Sequence, residues 1–259
     1  MISPIKGFNS FNCKRDIAKI IPPRSVVSTF LFFDGELELS LAEADRFVMA
    51  HTNKYVVYEF WKCVEESPTR LMETISFIQE RTRDSSDILY MLQENWPTHK
   101  NPYIRCALFF LLNTYSSQNL ISSGHIDTEK FNPVSLHRLK RIRMDENFHL
   151  TLCNTEDFLA SFEERVKESD FVIIPAGQFS YNFFKESAAT AHESTIIDHD
   201  QIQNVVRQSK KKIILLYKFH PRIVELYKDF AIRYYDDRGN YTQNSENAKE
   251  ILIANFRIG

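Results

Sequence analysis

The chain has 259 residues, 43% hydrophobic and 25% charged, with a formal net charge of −2. That length holds one large α/β domain or a core with an inserted subdomain, and the composition is ordinary for a globular protein. No apolar run approaches the roughly 20 residues needed to span a bilayer, and the charge total gives no support for a nucleic-acid binder beyond what a local basic patch would supply.

Other features of the composition narrow the class further. The N-terminal "MISPIKGFNSFNCKRD" has no apolar core followed by a small-residue cleavage site, so no secretory signal is expected there and the expected location is cytoplasmic. Cys13, Cys63, Cys106 and Cys153 lie far apart with no C-x-x-C pair, which argues against a zinc site and fits reduced thiols. The eight histidines show no H-E-x-x-H spacing, so no metal is expected. Phenylalanine is abundant at 21 residues and glycine scarce at 6, whereas cofactor-binding loops usually need several glycines close together.

In chain order, "KRDIAKII" (14–21) predicts a short helix stopped by Pro22 and Pro23. "SVVSTFLFF" (25–33) is rich in β-branched and aromatic residues and predicts a strand, followed by a turn at Asp34-Gly35. "DRFVMAH" (45–51) predicts a second strand. From Asn53 the period becomes helical, with Val56, Val57, Phe60, Trp61 and Val64 on one face. Ser67-Pro68 opens a further helix, and residues 85–96 predict another, capped by Ser86 or Asp87. The strongly apolar "YIRCALFFLLNTYS" (103–116) completes a helical block.

A polar loop (117–133) and a basic segment, "VSLHRLKRIR" (134–143), precede the return of the strand pattern at 148–153. A helix is expected over 155–166 with Thr155 as N-cap, then a buried strand at Phe171–Ile174 ending in a turn at Pro175-Ala176-Gly177-Gln178. A helix at 198–210, a strand at 211–219 and an antiparallel pair at 230–235 and 249–256 close the chain. Strands alternating with helices predict a mainly parallel, doubly wound Rossmann-like sheet covered by helices. The expected core is 1–53 and 146–259, with a mostly helical insertion at 54–145.

This order resembles the Dam-type (D12 class) DNA adenine methyltransferases, whose doubly wound sheet carries an inserted, mostly helical recognition domain. "PYIRCALFFLLNTYSSQN" (102–119) resembles the family's long apolar helix ending in Asn-Arg-x-x-x-Asn-Gly, with Asn113 and Asn119 at the asparagines and Thr114 in place of the arginine. "FNPVSL" (131–136) resembles Phe-Asn-Val-Pro-Phe-Gly. "AHTNKYVVYEFWKCV" (50–64) resembles Ala-Asp-Ile-Asn with its following helix, and "NAKEILIANF" (247–256) resembles the closing strand.

The family's chemical motifs are replaced. Its glycine-rich loop for S-adenosylmethionine corresponds to Thr29-Phe30-Leu31-Phe32-Phe33-Asp34-Gly35, where Phe32 and Phe33 put bulk in place of glycine. Its ribose-binding aspartate corresponds to His51, which lacks a carboxylate's charge and bidentate geometry. Its Asp-Pro-Pro-Tyr, which holds the target amine and stacks on the flipped base, corresponds to Pro175-Ala176-Gly177-Gln178. The resemblance therefore implies a catalytically inactive relative that needs no cofactor and acts by binding double-stranded DNA or a protein such as an active methyltransferase subunit. The alternatives are an active adenine methyltransferase that uses S-adenosylmethionine with aberrant motifs, and an assembly protein reusing the fold.

Candidate DNA contacts are Arg138, Lys140, Arg141 and Arg143, beside His137, with Asn113 and Asn119 implied by the resemblance. Phe179 or Tyr181 could supply a stacking ring after a shift, although an aromatic at a strand end is more often packing. There is no G-x-S-x-G elbow and no phosphate loop.

Overall fold

The computed structural model describes residues 2–7, 10–82, 85–116, 121, 125–131, 133–153, 162–179 and 198–258. Helix α1 (Lys14–Ile20) stops ahead of Pro22 as predicted. Strand β1 (Val26–Thr29) is shorter than predicted. It ends where Phe30 N–H bonds the Ile173 carbonyl and Leu31 turns left-handed, φ 56°. Helix α2 (Glu36–Glu43) has no counterpart among the predicted elements. Its Glu-Leu-Glu-Leu start alternates with period two, like a strand. Strand β2 (Phe47–Thr52) nevertheless pairs in parallel with β1, and parallel neighbours require a crossover, which α2 supplies.

Helices α3 (Tyr55–Glu66), α4 (Pro68–Thr82), α5 (Ser86–Asn95), α6 (Pro102–Tyr115) and α7 (Pro133–Arg141) follow the helical periods of the sequence. The cap of α5 is Ser85, whose hydroxyl accepts from Ile88 N at 3.4 Å, rather than Ser86 or Asp87. Strand β3 (Phe148–Leu152) and helix α8 (Phe162–Arg165) come next. The expected cap Thr155 lies outside the described residues.

Strand β4 (Phe171–Gly177) runs through the predicted turn. Pro175 stays in register with Leu216, and the register shifts only between Pro175 and Gly177. Proline is tolerated there because β1 pairs with β4 no further than Ile173, so the missing N–H falls where the ladder has one partner, not two. Helix α9 (His199–Gln208), capped by Asp198, leads to strand β5 (Lys212–Lys218). The short α10 (Pro221–Leu226), also not predicted, leads to β6 (Ala231–Tyr235), β7 (Tyr241–Thr242) and β8 (Glu250–Ala254).

Among the described residues the strands form one eight-stranded sheet in the order β3-β2-β1-β4-β5-β8-β6-β7. The pairs from β3 to β5 are parallel; β8 enters antiparallel between β5 and β6. The protein is thus a mixed α/β chain with a mostly parallel, Rossmann-like sheet flanked by helices. The order reverses at β1, whose neighbours are β2 on one side and β4 on the other, and such a switch point leaves a crevice at the strands' carboxyl ends.

The chain forms two compact units. The sheet unit takes in residues 10–53, 145–179 and 198–258; the helical unit takes in Lys54–Met144 with residues 2–7. In the helical unit α6 packs against α3, α4 and α5. Its core includes Phe60, Trp61, Trp96 and Phe109, all fully buried. A partly buried ion pair, Glu59 with Arg105 (Nε to Oε2, 2.8 Å), joins α3 to α6.

In the sheet unit the buried Glu250 carboxylate accepts from Asn12 N and Cys13 N (2.9 and 3.0 Å) and from Lys218 Nζ (2.7 Å). Gly239 lies against the same segment: a Cβ there would come within 2.3 Å of the Asn12 carbonyl, at a φ of +77° that already disfavours a side chain. Glu250→Ala and Gly239→Ala should each cost about 2 kcal/mol or more in chemical denaturation, through orphaned N–H groups and backbone displacement respectively. Wild-type midpoints for both would show that the N-terminal segment is not anchored there.

Candidate functional site

The crevice at the switch point is built by the segment after β1, the end of β2 and the end of β4. Phe30 is fully buried, its ring 5.1 Å from His51 and 5.3 Å from Phe162, where it stacks. Phe32 N–H bonds the His51 carbonyl at 3.0 Å, and its buried ring packs at 5.7 Å on Phe148 of β3. The left-handed turn that glycine would take most easily falls on Leu31, itself buried in the sheet unit's core. Phe33, with Phe11, Pro175 and Asp34, lines a cavity of about 10 Å³. A pocket for a small-molecule ligand runs to roughly 300–1,000 Å³.

The polar groups of the crevice are turned on one another. Asp34 is buried, accepting from Ser10 Oγ and from Glu36 N at 3.0 Å; burial raises its pKa. Gly35, at φ 71°, lets the chain enter α2, whose first turn carries Glu36 and Glu38. Lys14 pairs with Glu36. Glu38 is fully buried, and burial with the neighbouring Asp34 charge pushes its pKa up to about 8. The N-terminus of α2 is therefore occupied by the chain's own acids, in the position that could otherwise attract an anionic ligand.

His51 sits on β2 with both ring nitrogens buried and without a hydrogen-bond partner. Burial, then the Arg165 charge, push its pKa down to about 4. Pro175 and Ala176 are buried in β4, Gly177 has φ 74°, and only Gln178 of that four-residue stretch is exposed. Phe179 is buried against His199 and His220, with ring centroids at 4.7 and 4.9 Å, so it is a packing ring and not an open stacking surface. Tyr181 lies outside the described residues.

The basic segment forms helix α7. Leu139 and Ile142 face inward, Arg138 is half-buried, and His137, Lys140, Arg141 and Arg143 are exposed. Residues 133–144 contain no acid, and these cations form no ion pair with a described carboxylate. The helix thus presents a face of unopposed positive charge. Asn113 corrects the expected contact set. It is buried, Oδ1 accepting from Lys6 N (2.8 Å) and Nδ2 donating to the Lys6 carbonyl (2.9 Å). Both ends of its amide are spent on holding the N-terminal segment, which leaves nothing for DNA. Asn119 lies outside the described residues.

Glu38 and the partners of Asp34 escaped the sequence reading because α2 did. A Glu among leucines ahead of a strand was the available signal. Among the described residues no group of His, Cys, Asp or Glu is arranged to hold a metal, and no helix is long and apolar enough to cross a membrane. No family model and no curated protein matches the chain.

Two titrations give stability a defined pH profile. Glu38 stays protonated in the fold up to about pH 8 but ionises near 4.5 when unfolded, so its contribution is complete below 4.5 and lost as pH rises to 8. His51 is neutral in the fold down to about pH 4 but takes a proton near 6.5 when unfolded, so its contribution is complete above 6.5 and lost as pH falls to 4. The two offset one another between these limits. Stability should therefore fall above about pH 6.5, and Glu38→Gln should flatten that decline in denaturation curves taken at about pH 6 and 8.5. A wild type more stable at the higher pH would contradict the burial of Glu38.

Because neither His51 nitrogen has a partner, His51→Leu should raise stability by about 1 kcal/mol near neutral pH. A loss of that size would mean the imidazole is making a bond that matters.

Proposed function

We propose that the chain is a catalytically silent relative of the Dam-type DNA adenine methyltransferases that acts by binding duplex DNA. The observation that carries the silent part is the packing at the switch point, where Phe30 and Phe32 are fully buried against His51 and Phe148, and Phe33, Phe11 and Pro175 line a cavity of about 10 Å³. The family part is supported by the order of the resembling segments and by a Rossmann-like sheet whose resembling closing strand, β8, enters antiparallel beside β5. An active enzyme with aberrant motifs would require these rings to leave the crevice and Glu38 to take on charge or solvent. The free, buried thiols of the four cysteines fit a reducing cytoplasm.

DNA binding is supported by α7. Exposed Lys140 and Arg141 at its end and Arg143 just beyond can each neutralise a phosphate and release counterions, while phosphate contacts alone position a protein without reading sequence. Affinity should fall with salt at a log–log slope of about −0.9 per phosphate contacted. Changing Arg138, Lys140, Arg141 and Arg143 to Ala should weaken binding about equally on all duplexes and flatten the slope. Calorimetry with millimolar S-adenosylmethionine should show no saturable heat; saturable binding would revive the active-enzyme reading. A wild type that is not retained on duplex DNA at low salt would end the DNA reading.

One observation favours a protein partner as second reading. The helical unit carries an apolar groove of about 450 Å³ lined by Phe77, Ile78, Leu92, Tyr103, Ile104 and Leu108, and Phe77 and Met91 are each more than half exposed. Exposed apolar surface of this kind marks interaction sites. An active methyltransferase subunit or an assembly partner would be the class of protein to seek.

A further inference from the structure

A second crevice, of about 560 Å³, opens in the sheet unit at the other end of the strands, where β4 and β5 begin. Phe171 and Lys212, the first residues of those strands, line it with Phe256, which follows β8. Four cations border it, Lys19, Lys212, Arg233 and Arg257, against one carboxylate, Asp16. That carboxylate is already engaged: it accepts from Arg233 Nη1 at 3.0 Å and from the Tyr235 hydroxyl. Lys19 stands 3.5 Å from its other oxygen.

Lys212 and Arg257 have no carboxylate partner among the described residues. Lys212 Nζ is held over the Phe171 ring at 5.1 Å, and Phe171 meets Phe256 edge-on at 5.8 Å. The crevice therefore combines a floor of two rings with an excess of positive charge from four separate parts of the chain. Multiply charged phosphate chemistry matches such a wall, because several cations can each take a different oxygen. The half-buried Phe256 ring is also a surface on which a base can rest.

We propose that this crevice binds a di- or triphosphate group, carried by a nucleotide or free as polyphosphate. The site shares no residue with α7 or with the switch-point cavity. The test is calorimetry on the full chain in chelator-containing buffer, with tripolyphosphate and ATP as separate probes. The expected result is saturable binding that weakens about tenfold or more in Lys212→Glu/Arg257→Glu. Both positions are exposed, so the melting curve should be unchanged. Lys140→Glu/Arg141→Glu, on α7, should leave binding as it was. ATP binding more tightly than tripolyphosphate, with the difference abolished by Phe256→Ala, assigns the site to nucleotides. Equal affinities assign it to the phosphate chain alone. Absence of saturable binding by either probe, or equal loss in both charge-reversed variants, overturns the proposal.

Discussion

The sheet unit depends on one buried carboxylate. Glu250 opens the closing strand and receives two backbone N–H groups of the N-terminal segment together with the Lys218 ammonium. Those donors fix where residues 10–14 run. Ser10 then reaches Asp34, Phe11 enters the space beside Phe33, and Lys14 meets Glu36. A segment 238 residues from its anchor is thereby laid across the crevice where an open α/β sheet would receive a ligand. The glycine at 239 serves the same end, since only a residue without Cβ lets the β6–β7 turn approach Asn12 so closely. Lys218 Nζ to the Ser10 carbonyl (2.7 Å) and Asn12 Nδ2 to the Asp237 carbonyl (2.9 Å) reinforce the same path.

Filling a crevice calls for coordinated changes. A single large residue in a glycine-lined loop would leave unfilled space around it, and each unfilled volume weakens a core by lost transfer and lost contact. Here Phe11, Phe33 and Pro175 line one small cavity while Phe30 and Phe32 pack on His51 and Phe148, each phenylalanine contributing about 2 kcal/mol by burial. Leu31 sits in the left-handed region that favours glycine. A left-handed leucine is strained by roughly 1–2 kcal/mol, a strain its buried side chain can offset.

Much of the fold was legible in the sequence, and the misses have physical causes. The β4 run Phe171–Ile174 reads as a buried strand because β-branched residues fill both faces. Its continuation through Pro175 was hidden, because proline usually ends a strand and only tertiary pairing shows that one side of the ladder is already vacant. Helix α2 was hidden by its period-two start. The bulk of Phe32 and Phe33 is plain in the sequence, but Phe11 and Lys14 are neighbours of that loop only after folding. Asn113 entered the expected contact set through the resemblance, and its actual partner, Lys6, lies 107 residues away in the sequence. The basic run was the reverse case: every cation of α7 lies within one short segment, so the sequence displays the patch directly. The cations of the second crevice are scattered from Lys19 to Arg257, and no linear reading assembles them.

The polar groups left inside the filled crevice bear on how firmly it is closed. The His51 ring has no hydrogen bond to lose, and burial favours the protonated form of Glu38. An interior that keeps an unbonded imidazole and a neutral acid is less stable than an apolar one of the same shape, because each group gave up water without full return. The phenylalanines bind the crevice shut while these two groups work against it, most strongly when Glu38 is driven to ionise. The stability of the sheet unit therefore depends on pH through one buried carboxyl, with the neighbouring Asp34 charge of the same sign adding to the rise in its pKa.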